Sequence, residues 1–136
     1  MSSGNAHNMF YATRYDYLRI AKAIMDDYQK DTCVGRYLKE IYDRKVLKSV
    51  NHNGSRGEPI FNRTKYYGGQ FHIGYPGLEK KVVFAMGGYG GKAILIDVED
   101  SRIVVINTIH YNHDQFRYDE RKLLINPIKK GKKTFK

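Results

Sequence analysis

Phe84-Ala-Met-Gly-Gly-Tyr-Gly-Gly-Lys-Ala-Ile-Leu-Ile-Asp97, continued by Val98-Glu-Asp-Ser-Arg102 and Ile103-Val-Val-Ile-Asn-Thr-Ile109, decides the fold of this chain. Three short apolar runs are separated first by a glycine-dense corner and then by a four-residue polar link. Connections this short demand antiparallel neighbours. Four of the six residues from Gly87 to Lys92 are glycine, so backbone at the corner can approach another molecule with no Cβ in the way.

Working outward, Tyr66 to His72 alternates as a strand does, and Gly74-Tyr-Pro-Gly77 supplies turn residues after it. Before it, Lys48 to Lys65 has the composition of a loop. Upstream of that loop, Thr13-Arg-Tyr-Asp16 has the form of a capping box, and Leu18, Ala21, Ile24, Met25 and Tyr28 recur at helical steps. A second helix follows the Asp31/Thr32 cap, with Val34, Tyr37, Leu38, Ile41 and Tyr42 as its buried face. The reading is α+β: helices over about 14–29 and 33–45, an antiparallel sheet of strands over about 66–72, 82–87, 92–97 and 102–109, and a closing helix over about 118–126 that ends before Pro127. Lys129 to Lys136 reads as a basic tail beyond a domain of residues 1–128.

Composition bounds the function. The chain has 136 residues, 41% of them hydrophobic, enough to bury a core. Its net charge of +10 favours acidic partners without naming one. One cysteine, Cys33, excludes an intrachain disulfide and a multi-cysteine zinc site, and its place in a helix suggests a buried or half-buried thiol. The first residues lack a signal peptide's basic start and apolar run, and no segment approaches the ~20 apolar residues of a membrane span. Localisation is therefore unknown.

The order of the Thr13-Arg-Tyr-Asp-Tyr-Leu18 helix, the Tyr67-Gly-Gly-Gln-Phe71 strand, the Gly88-Tyr-Gly-Gly-Lys92 corner, the Ile94-Leu-Ile-Asp97 strand and the Arg102-Ile-Val-Val-Ile-Asn107 strand resembles the C-terminal part of β-lactamase-like serine hydrolases. That family includes penicillin-binding proteins, class C β-lactamases and related esterases and amide hydrolases. The resemblance runs from about Ala12 to Ile125. It implies a partial β-lactamase/transpeptidase-like fold and, in the complete protein, hydrolysis of a small amide or ester through an acyl-enzyme. Complete family members are often periplasmic or secreted.

The family's nucleophile is the serine of a Ser-x-x-Lys motif. Here Ser2, Ser3, Ser49, Ser55 and Ser101 are followed three residues on by Asn5, Ala6, His52, Glu58 and Val104, so the nucleophile lies outside this chain. The resemblance leaves the strand that usually reads Lys-Thr-Gly, whose best register falls on Met86-Gly87-Gly88. Its two polar side chains are missing, but a backbone role survives. By this carry-over the Tyr89 N–H is the oxyanion donor, with Gly87, Gly88, Gly90 and Gly91 as the substrate-binding wall. A slip of one or two positions would pass the donor role to Gly90, Gly91 or Lys92. Alone, the chain is expected to be inactive, a fragment or decayed copy, and strands lacking their neighbouring lobe leave apolar surface for self-association.

Competing readings are weaker. Gly88-x-Gly90-x-x-Ala93 fits a dinucleotide string, but Ala93 opens a strand instead of a helix. No cofactor is expected. His110, His113 and Asp114 read as a polar loop and not a metal site. Asp97, Glu99 and Asp100 read as turn chemistry. A basic nucleic-acid-binding module is the alternative, favoured by charge and twelve tyrosines, but Tyr28, Tyr37 and Tyr42 fall on faces predicted to be buried.

Overall fold

The computed structural model of the chain describes residues 12–48, 64–88, 92–107 and 121–131. Helix α1 spans Arg14–Lys30 and opens on the expected capping box. Thr13 Oγ1 accepts from the Asp16 N–H at 3.2 Å while the Thr13 N–H donates to Asp16 Oδ2 at 3.1 Å. Asp31, in the left-handed region at φ 54°, ends the helix, and Thr32 caps α2, Cys33–Asp43, by accepting from the Gly35 N–H at 3.0 Å. The hinge between the helices is tight. A Cβ on Gly35 would lie 1.8 Å from the Asp27 carbonyl oxygen, so only glycine lets α2 pass this close to α1.

Among the described residues, six antiparallel strands follow in a meander, each hydrogen-bonded to the next in chain order: β1 Val46–Leu47, β2 Tyr66–Gly68, β3 Phe71–Ile73, β4 Val83–Gly88, β5 Lys92–Asp97 and β6 Arg102–Ile106. This confirms the α+β class and adds two details the sequence reading lacked. The expected strand over 66–72 is a hairpin, because Gly69 and Gln70 both take positive φ, 53° and 72°, and turn the chain in two residues. Positive φ at both turn positions matches the right-handed twist of the flanking strands. The second helix ends at Asp43, short of the expected Lys45, and β1 begins three residues later, in the gap between the expected helix and the loop expected from Lys48.

A π-helical turn, Arg121–Ile125, leads into α3, Asn126–Lys130. The closing helix was expected to stop before Pro127. Instead Pro127 sits in the first turn of α3, where its fixed φ is compatible with the helix. The helix therefore takes in Lys129 and Lys130, the first two residues assigned to the tail. Arg102 Nη1 on β6 donates to the Ile128 and Lys129 carbonyls and ties this end to the sheet.

Strand alternation divides the core between the two faces of the sheet. Phe84, Ile94 and Ile96 face Ala21, Met25 and Leu38 of α1 and α2. Val83, Ala85, Ala93 and Leu95 face Leu124 and Ile128 of the C-terminal segment, with Tyr75 and Leu78 between. β5 is covered on both faces, which explains its unbroken apolar run. On the helical face Phe84 meets the ring edges of Phe71, Tyr28 and Tyr42, with centroids 5.1, 5.9 and 6.0 Å away. Three positions depart from the expected stripes: Leu18, Val34 and Tyr37 are 42%, 51% and 62% exposed. Each helix lays only a narrow strip on the sheet, so apolar residues at its margins stay in solvent. Cys33 is also exposed, contrary to the buried thiol expected, because it is the first residue of α2 and precedes its contact with the core.

Candidate functional site

Four apolar residues carry β4 to the glycine corner, and its last two, Gly87 and Gly88, pair with Ala93 and Lys92 of β5. Gly87 is exposed. Tyr89, Gly90 and Gly91, the proposed oxyanion donor and two of the wall residues, lie outside the described residues. The Ala93 segment is extended, as the wall reading requires. The Val98 N–H donates to the Val82 carbonyl at 3.3 Å, and strand alternation from that bond turns the Gly88 amide toward Lys92 and the Gly87 amide away from β5. Met86 packs against the helical-face core.

The start of α1 reaches the same end of the sheet. Asn107, one residue past β6, donates Nδ2 to the Ala12 carbonyl at 3.4 Å, and its Oδ1 is buried with no hydrogen-bond partner among the described residues. The exposed end of β4, the first residue of β5, the end of β6 and the residue before the α1 cap thus border one edge of the molecule.

The opposite end is built for rigidity. Asp97 is fully buried, and its Oδ1 accepts from the Glu99 and Asp100 N–H groups at 3.1 and 3.0 Å, which is the turn chemistry expected of this sequence. Lys81 Nζ, unremarked in the sequence reading, donates to Asp97 Oδ2 at 2.7 Å and also pairs with Asp100. Gln29 Nε2 of α1 donates to the Val98 carbonyl at 2.9 Å and to Ser101 Oγ at 2.7 Å. Side chains from α1, from the segment before β4 and from the β5–β6 turn therefore lock this end.

A second polar cluster was not foreseen. Lys48, just after β1, places Nζ 2.5 Å from Thr64 Oγ1 and 2.9 Å from His72 Nδ1, and Thr64 Oγ1 lies 3.4 Å from the same ring nitrogen. Thr64 is buried, and the Tyr67 ring meets the imidazole edge-on at 5.2 Å. Burial, reinforced by the Lys48 charge, holds the His72 pKa down at about 4 from an ordinary 6.5. Burial also lowers the pKa of Lys48. No local motif announces this cluster; the one hint was a histidine within an apolar strand.

His110, His113 and Asp114 lie outside the described residues, and among the described ones no three His, Cys, Asp or Glu side chains gather as metal ligands. No described helix is long and apolar enough to cross a membrane. Many helix cations are already paired: Arg19 with Asp16, Lys22 with Asp26, Lys39 with Asp31 and Arg44 with Glu40. No family model matches the chain, and neither the curated proteins nor the solved structures compared with it give a match.

Proposed function

We propose that this chain is the C-terminal portion of a β-lactamase-like serine hydrolase, supplying the wall strand and oxyanion-side backbone to an amide- or ester-hydrolysing site. The observation that carries the reading is the glycine end of β4: exposed at Gly87, laddered to an extended β5, and bordered by the start of α1. In this reading the corner backbone offers N–H groups to the oxyanion that develops as a serine attacks the carbonyl. That serine, and the lysine that takes its proton, come from a segment this chain does not contain. Met86 in place of a polar residue fits a substrate without the carboxylate that penicillins carry. The pairing of the helix cations weighs against the nucleic-acid alternative.

The test begins with the DNA upstream of Met1. An in-frame Ser-x-x-Lys segment is expected there, and the chain fused to it should hydrolyse p-nitrophenyl esters and take a fluorophosphonate on that serine. The 136-residue chain by itself should not be labelled. Absence of any such segment, or labelling of one of this chain's own serines, overturns the reading.

A further inference from the structure

Among the described residues the sheet ends in two edge strands of different character. β1 has features that keep an edge from pairing: it is two residues long and lies between Lys45 and Lys48. β6 lacks them. From Ile103 to Ile106 it carries no charge and no proline, and its register with β5 runs without a bulge. Its side chains are engaged on both faces, Ile103 and Val105 against the core under the helices, Val104 and Ile106 against the C-terminal segment, so what it leaves open is backbone. Alternation from the Val98–Val82 bond turns the Asp97, Leu95 and Ala93 amides toward β6, where they meet Arg102, Val104 and Ile106. The N–H and C=O groups of Ile103 and Val105 therefore point outward, and among the described residues no strand takes them.

We propose that the β6 edge is a self-association surface, on which a second copy of this chain lays its own β6 antiparallel about a two-fold axis perpendicular to the sheet. The spacing of the outward groups makes the edge self-complementary. Ile103 of each copy pairs with Val105 of the other, which satisfies every outward group of both strands, and the two Val104 side chains stand opposite each other at the axis. Arg102 then faces Ile106 of the second copy, so no like charges oppose along the strands. Helix α1 gives a second reason. Gln29 bonds the Val98 carbonyl and Ser101 Oγ of the β5–β6 turn, whereas Asp27 meets Gly35 of α2, so one flank of α1 faces the β6 edge and the other faces α2. Leu18 lies about three turns before Gln29 on the β6 flank, and it is exposed. Pairing of the strands brings the two α1 helices together on one side of the joined sheet and covers this leucine.

The test is sedimentation of the full chain between about 1 and 100 µM, in about 0.15 M salt to screen the net charge of +10 on each copy. A monomer–dimer equilibrium is expected. Val105→Pro removes an outward N–H at a position where an edge strand tolerates proline, and should weaken the dimer by about tenfold or more while circular dichroism shows the fold retained. The register is read by crosslinking in a Cys33→Ser background, which removes the exposed native thiol. Under mild oxidation Val104→Cys should give a disulfide-linked dimer, because opposed residues of a non-hydrogen-bonded pair lie close enough to bridge, and Ile106→Cys should not. A monomer throughout the range, as would follow if another segment of the chain lay on this edge, overturns the proposal. So does a dimer in which Val104→Cys crosslinks no faster than Ile106→Cys. Should Val105→Pro unfold, sedimentation of the unsubstituted chain and the crosslinking pair decide the matter.

Discussion

His72 illustrates what burial does to a single titratable group. Its folded pKa of about 4 lies below the ordinary 6.5, so between those values the unfolded chain binds a proton that the folded chain does not. Above pH 6.5 both forms are neutral and the full stability is present; it falls as the pH drops toward 4. Allowing for solvent screening of a partly exposed ring, the loss is about 1–2 kcal/mol. Urea unfolding at both ends of that window should show the loss in the natural sequence and a flatter dependence in His72→Gln; parallel slopes would refute it. Gly35 makes a steric counterpart. Alanine there would drive its methyl into the Asp27 carbonyl, and the helices would have to separate. Gly35→Ala should lower stability by about 3 kcal/mol, read from the shift in denaturant midpoint.

At the scale of elements, caps and turns decide where each piece begins and ends. Thr32 both caps α2 and donates to Asp27 Oδ1 at 2.8 Å, so Thr32→Ala should cost about 1 kcal/mol in thermal or denaturant unfolding. The α1 box, the α2 cap and the β5–β6 turn were all legible, because a cap is written in residues three or four apart. The β2–β3 hairpin was not, because Gly69-Gln70 lies within a run that also reads as one alternating strand. β1 was missed as well. Val46 and Leu47 are 62% and 68% exposed, and two exposed residues set no period of their own. Only pairing with Tyr67 and Tyr66 makes them a strand.

For the whole molecule, the sheet is the partition: α1 and α2 cover one face and the C-terminal segment the other. Phe84 is fully buried at the centre of the helical face, so Phe84→Ala should lower stability by about 3–5 kcal/mol, enough to unfold many domains of this size. A change below about 1 kcal/mol would mean that the aromatic cluster is not the centre of that layer. The two N-terminal helices, the meander from β4 to β6, and the covering of β5 on both faces follow from local patterns: caps, helical spacing, glycine and an unbroken apolar run. The tertiary structure alone decided which residues of different elements meet. Lys48, Thr64 and His72 come together because the antiparallel pairing of β1 with β2, and of β2 with β3 across a two-residue turn, brings the three strands side by side. The β1–β2 pairing joins segments far apart along the chain, and no local pattern encodes it.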